Sequence, residues 1–186
     1  YVLCFHNAML VDECSNIISE SKFEEDYLCD RTPFDLVIGK ECSTQTVMFR
    51  GKYLSEVLTK LKHYNGLSND SVLFALLAHY GNGKYLSNIE KSAYRIHNNS
   101  VWASLPPIKH LPYAYETDTF KYKYQDIAKK ELYDRRLNYA SRLCFNSIKN
   151  NDIIDFVKYY SISSFLSFRK IDFKYWWNIQ KGVVYN

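Results

Sequence analysis

The sequence predicts an α/β fold in the first part of the chain and a helical extension after it. Residues 1–104 mix strand-like and helix-like segments. Tyr1–Phe5 and Ser43–Arg50 are rich in apolar, β-branched and aromatic residues, whereas Tyr53–Tyr64 and Val72–Ala78 read as helices. Beyond residue 119, Ala128, Leu132, Tyr139, Ala140 and Leu143 fall near one helical face. An apolar content of 47% over 186 residues supplies a core, and the longest unbroken apolar run, Val72 to Ala78, is too short to span a bilayer.

In chain order, Tyr1–Phe5 reads as a buried strand ending in His6-Asn7. Polar residues at a strand's C-terminal end serve either as ligand contacts of an open sheet or as partners for the turn backbone. A short strand over Met9–Val11 and an acidic, irregular connection over residues 15–31 follow. Thr32-Pro33 predicts a helix start, with Thr32 as N-cap, and Gly39 its end. Ser43–Arg50 is the second clear strand; its terminal Arg50 is a solvated charge or a site residue. Leu54, Val57, Leu58 and Leu61 define an amphipathic helix over Tyr53–Tyr64.

Ser68-Asn69-Asp70-Ser71 opens the central helix. Val72, Leu73, Leu76, Leu77 and Tyr80 form one apolar face, and Phe74, Ala75 and Ala78 extend it nearly all round. His79 suits the C-terminal end of the dipole and Gly81 the position after it. Strands are expected over Tyr85–Ile89 and Ala93–His97, the latter with Arg95 and His97 on one face and Tyr94 and Ile96 on the other. Asn98-Asn99-Ser100 reads as a polar loop. The prolines at 106, 107 and 112 predict a linker over residues 103–119. One long helix over Phe120–Lys149, a second from Ile153 to Phe168 and a third element over Phe173–Tyr185 complete the reading.

Charge is uneven. Residues 1–119 carry 11 Lys/Arg against 14 Asp/Glu, net −3, while residues 120–186 carry 13 against 6, net +7. The tail is thus a packed helical cap or a surface that meets something anionic. The five cysteines, Cys4, Cys14, Cys29, Cys42 and Cys144, contain no C-x-x-C pair, so reduced thiols and no zinc site are expected.

Asp70 is the sharpest chemical candidate. A carboxylate within hydrogen-bond reach of a hydroxyl can take its proton as the oxygen attacks an electrophile. An Asp in a first helical turn also serves as a cap and dipole partner, and the two roles are compatible. Arg95 and His97 form the second candidate group. A cation beside an imidazole can stabilise negative charge that develops in a reaction, the imidazole acting as hydrogen-bond donor or metal ligand.

The segment N-D-S-V-L-F-A-L-L-A-H-Y-G over Asn69–Gly81, followed by Tyr94-Arg95-Ile96-His97 and then Trp102, resembles the C-terminal half of family 2 glycosyltransferases of the GT-A fold. The T-x-T-V-M-F-R segment at Thr44–Arg50 resembles the strand beside that family's acceptor site. The resemblance covers roughly residues 1–104. It implies that residues 1–113 are the C-terminal half of a GT-A domain, that the nucleotide-binding half lies upstream of Tyr1, and that residues 114–186 are a helical extension. It further implies inverting transfer of a sugar from a nucleotide-sugar donor to a hydroxyl of a glycan or lipid-linked acceptor. The setting it suggests is bacterial surface polysaccharide synthesis, in the cytoplasm or at the inner face of the membrane.

On this resemblance Asp70 is the base, and Arg95, His97, Trp102 and His6 line the diphosphate and donor pocket. Thr46 and Arg50 stand on the acceptor side. His97 is a candidate ligand of a divalent Mg²⁺ or Mn²⁺ whose main ligands lie upstream. No strand-terminated D-x-D occurs here, and Glu116-Thr117-Asp118 reads as a chance match to that form. The rival reading is a non-catalytic binding module. Its basic aromatic segments, Lys121–Tyr124 and Lys170–Trp177, would contact nucleic acid or an anionic membrane; neither matches a nucleic-acid motif.

Overall fold

The structure is a computed structural model that describes residues 1–40, 42–97 and 105–170. It is a mixed α/β protein with two small mixed sheets. Strand β1 (Leu3–Phe5) lies between β4 (Met48–Phe49), antiparallel, and β5 (Gly83–Tyr85), parallel. Strand β2 (Ala8–Val11) lies between β3 (Ile17–Ser19), antiparallel, and β6 (Ser92–Arg95), parallel. The parallel pairings need long crossovers, and the chain between β1 and β5 supplies them as α1 (Pro33–Ile38), α2 (Leu54–Leu61) and α3 (Asn69–Leu77).

His6-Asn7 separates β1 from β2. Buried Asn7 accepts the backbone N–H of Ala8 through Oδ1 at 2.8 Å and donates from Nδ2 to Ser21 Oγ at 2.8 Å. Its amide thereby satisfies a break in the strand that would otherwise leave polar backbone uncompensated.

Helix α1 forms as its sequence dictates. Thr32 and Asp35 make a reciprocal capping box, Pro33 occupies the first turn, and Gly39 closes the helix in the left-handed region at φ +82°. Helix α3 is buried nearly all round, with Val72, Phe74, Ala75, Leu76 and Leu77 in the core, and a 3-10 turn over Ala78–Tyr80 carries it to Gly81. In α2 only Val57 is fully buried, and Leu58 is exposed.

Three expectations change. Ser43–Arg50 is not one strand: Thr44–Thr46 is a 3-10 turn and only Met48–Phe49 pair with β1. The turn is held by Thr46 Oγ1 donating to Ser43 O at 2.8 Å, a local bond that β propensity does not anticipate. Strand β5 is Gly83–Tyr85 rather than Tyr85–Ile89. Its glycine faces Leu3 and Arg31 so closely that a Cβ would lie 2.9 Å from Leu3 Cδ1.

The third change concerns the proline-rich stretch. Most of it is helix, not linker: α4 runs Pro107–Tyr124, with Pro107 in the first turn, where its missing N–H costs nothing, and Pro112 inside. The boundary drawn between 113 and 114 therefore falls inside one helix. The expected long helix Phe120–Lys149 breaks instead at residues 125–128. Gln125 is extended and Ala128 is left-handed at φ +59°, after which α5 runs Lys129–Lys149. The break holds because Gln125 Nε2 donates to Ala75 O in α3, and Ile127 and Ala128 pack on the main core.

Helix α6 (Ile153–Lys170) returns along α5. Leu132 of α5 is fully buried in the same core as Phe5, Leu36 and Leu77. Phe120, Tyr122 and Tyr124 of α4 pack against that core as well. A second cluster, Leu111, Leu143, Cys144 and Tyr159, joins α4, α5 and α6. The helical extension is thus continuous with the α/β part through its apolar core. Trp102, the polar loop at Asn98–Ser100 and the element expected over Phe173–Tyr185 lie outside the described residues.

Candidate functional site

Asp70 occupies the first turn of α3 and lines a cleft of about 360 Å³. Ser68 supplies no side-chain cap to this helix. Asp70 Oδ1 accepts the backbone N–H of Ser71 at 2.7 Å, and Oδ2 accepts Thr44 Oγ1–H at 2.7 Å. The 3-10 turn Thr44–Thr46 is what brings Thr44 to the carboxylate. A carboxylate offers about four lone-pair positions, so these two bonds orient Asp70 and leave acceptor capacity for a ligand.

Two lysines face the same cleft. Lys22 Nζ lies 4.3 Å from the centre of the Tyr94 ring and donates to Ser43 Oγ at 3.3 Å. Lys40 Nζ stands 5.1 Å from the Tyr27 ring centre. Leu36 and Phe74 contribute apolar surface, and Gln45 and Tyr94 add polar groups. A carboxylate, two ammonium groups, a tyrosine and an apolar wall are the means to hold a polar organic molecule and take a proton from it.

Beneath the cleft lies a cationic clamp. Lys121 of α4 is buried and donates from Nζ to Val37 O at 3.0 Å and to Ser71 Oγ at 2.8 Å. Arg135 of α5 donates from Nη1 to Ile38 O at 2.5 Å and pairs through Nε with Asp118 at 2.8 Å. Two cations therefore meet the carbonyl end of α1, where the helix dipole favours positive charge. Burial pushes the Lys121 ammonium down to about 8, against the pull of Asp118. Burial likewise raises Asp118, although Arg135 and Lys121 oppose the rise. Asp118 belongs to this ion pair, and Thr117 of the same acid-x-acid segment bonds the Tyr64 hydroxyl at 2.7 Å.

The other expected residues fall elsewhere. Tyr94 faces the Asp70 cleft, while Arg95 grips the turn between β2 and β3. Its Nη1 donates to Asp12 O at 2.9 Å and Glu13 O at 2.8 Å, and its Nη2 to Ser15 Oγ at 3.0 Å. His97 is exposed in a separate depression beside Asp12, Glu13 and Cys14. Asp70 and His97 thus line different hollows.

Half-buried His6 donates from Nδ1 to Asn7 O at 2.9 Å and serves the turn. Thr46 is buried in its own turn. Arg50 Nε donates to Tyr1 O at 2.6 Å, tying the chain start to β4. Trp102 lies outside the described residues.

Among the described residues no group of three or more His, Cys, Asp or Glu side chains could hold a metal ion. Asp12, beside His97, already accepts two bonds from Asn16, each at 2.8 Å. The basic segment Lys121–Tyr124 turns Lys121 into the interior and leaves Lys123 exposed; the second such segment, Lys170–Trp177, lies where no side chain is described.

Lys22, Lys40 and Arg135 are site residues that sequence reasoning does not single out, and it reads Lys121 only as part of a basic surface segment. Isolated lysines carry no motif, and the partners of Lys121 and Arg135 lie 84 and 97 positions away. No protein-family model, curated protein or solved structure matches the chain.

Proposed function

We propose that this chain forms the acceptor side of a nucleotide-sugar-dependent glycosyltransferase, with Asp70 as the general base. The observation that carries the reading is the Asp70 carboxylate, oriented by Thr44 in a cleft of about 360 Å³. That volume falls in the range of small-molecule sites, roughly 300–1,000 Å³. The GT-A resemblance of Asn69–Gly81 and Tyr94–His97 supplies the reaction class.

In this reading the acceptor, a glycan or lipid-linked sugar, enters beside Tyr94 and Lys22 and places one hydroxyl on Asp70. The hydroxyl oxygen bonds to the anomeric carbon as its proton passes to Asp70. The bond from that carbon to the nucleoside diphosphate breaks, and the diphosphate leaves with the electron pair. Attack from the face opposite the leaving group inverts the centre. A divalent cation, Mg²⁺ or Mn²⁺, belongs to this family's chemistry. Among the described residues no group of three or more His, Cys, Asp or Glu side chains gathers to hold one, and no step here runs through it.

The test is sugar transfer by the protein as its gene encodes it, wild type against Asp70→Asn, across a panel of nucleotide sugars. Asparagine keeps the shape: its Oδ1 can accept the Ser71 N–H and its Nδ2 can donate to Thr44 Oγ1. Losing one first-turn charge costs only about 0.3–1 kcal/mol, so melting temperature and donor affinity should change little. Loss of a positioned base should lower kcat by about 10²–10⁴. Near-normal turnover in Asp70→Asn would leave the carboxylate as a helix cap and end the proposal.

A further inference from the structure

The turn joining α5 to α6 carries a cluster of large apolar side chains in the open. Phe145 and Ile148 stand exposed on the last turns of α5, and Ile153, Ile154 and Val157 on the first turns of α6. Ile153 and Ile154 retain 76% and 83% of their accessible surface. Single exposed apolar residues are ordinary, but five of them within residues 145–157, on either side of one tight turn, mark an interaction surface.

The hairpin under the cluster is well built. Asp152 N donates to Ser147 O at 2.9 Å, and Asp152 Oδ1 accepts the Asp155 N–H at 3.0 Å as the cap of α6. Leu143, Cys144 and Tyr159 pack behind it. The exposed residues are therefore presented by a folded tip.

Cations flank the cluster. Arg142, Lys149 and Lys158 are exposed, and Lys149 Nζ lies 4.7 Å from the Phe145 ring centre. Two acids stand against them: Asp152, engaged as the cap, and half-buried Asp155. The wider tail, residues 120–186, carries net +7. No described helix is long and apolar enough to cross a membrane.

We infer that the α5–α6 tip docks on an anionic lipid surface, its isoleucines and Phe145 entering the headgroup boundary and its lysines and arginine resting on acidic headgroups. This is the chemistry of interfacial binding: buried apolar area plus attraction of cations to anionic lipid. A second copy of the chain fits less well, since two such tips face to face would set three cations against three, with only the capping Asp152 and half-buried Asp155 of each to offset them. The inference stands on the tip alone and does not depend on the role of Asp70.

The test is sedimentation of the full chain with phosphatidylcholine vesicles, with and without phosphatidylglycerol, at low and high salt. The wild type should partition to the anionic vesicles and release with salt. Ile153→Ser with Ile154→Ser should weaken partitioning about tenfold or more at unchanged melting temperature, because both side chains are exposed and their loss opens no cavity. Lys149→Glu with Lys158→Glu should weaken it by at least a similar factor and flatten the salt dependence. The proposal is overturned by absence of binding to anionic vesicles, or by binding that both double variants retain. A concentration-dependent dimer in light scattering that the isoleucine variants dissolve would assign the tip to a second copy and overturn it equally.

Discussion

Replacing Lys121 by methionine isolates the cost and the use of a buried ammonium. Methionine keeps most of the apolar stem and removes the charge. The variant loses the two hydrogen bonds that Lys121 Nζ gives to Val37 O and Ser71 Oγ, and an unsatisfied buried carbonyl costs about 1–3 kcal/mol. The variant also no longer buries a cation. The folded lysine sits at about 8 against 10.5 for the free side chain, a difference equivalent to roughly 3 kcal/mol against folding at neutral pH. The two terms nearly cancel at pH 7, where the variant should match the wild type within about 2 kcal/mol.

The sign with pH is definite. Between about pH 8 and 10.5 the unfolded chain holds the Lys121 proton and the folded chain has released it, so wild-type stability rises with pH through that window. About 2 kcal/mol of this rise falls between pH 7 and 9.5. Methionine has no proton to release. Asp118, Arg135 and Asp70, the charged groups around Lys121, are present in both proteins and cancel to first order. Urea unfolding at pH 7, 8, 9 and 9.5 should show the wild type gaining on Lys121→Met by about 2 kcal/mol. A stability gap that stays flat or narrows the other way refutes the buried ammonium.

Two further changes test the architecture. Gly83→Ala would put a Cβ 2.9 Å from Leu3 Cδ1 and 3.2 Å from Arg31 Cβ; denaturant titration should show a loss of about 1–3 kcal/mol. Leu132→Ala empties a fully buried position in the main core and should cost about 2–5 kcal/mol in a single cooperative transition. Two separate transitions, with only the later one affected, would mean that the helices fold apart from the α/β part.

The elements legible in the sequence are those whose cause is local. Thr32, Pro33, Asp35 and Gly39 contain the whole argument for α1, because a cap, a first-turn proline and a left-handed glycine act within eight residues. The apolar run Val72–Ala78 announced a buried helix for the same reason. Illegible elements are set by distant partners. Nothing between Tyr124 and Lys129 breaks a helix by propensity. The break exists because Gln125 finds the Ala75 carbonyl in another helix. Prolines at 106, 107 and 112 suggested a linker, yet two of the three sit inside α4, where tertiary packing overrides propensity. For the candidate site, Asp70 was readable as a polar residue at a helix start, whereas its partner Thr44 was not, because the 3-10 turn that presents it lies where a strand was expected. Nor was the separation of Asp70 from His97 readable, since it depends on which hollow the start of α3 and the end of β6 each meet.

The cationic clamp has a consequence for biosynthesis. The ribosome delivers α1 and α3 long before the side chains that complete them. Val37 and Ile38 wait for Lys121 and Arg135 across separations of 84 and 97 residues, and the main core waits for Leu132. Closing such spans is entropically slow, and a nascent chain halted short of α5 keeps apolar surface open. The N-terminal part is translated first but finishes folding only when its C-terminal helices emerge. The chain's last third therefore sets the time at which the Asp70 cleft acquires its floor.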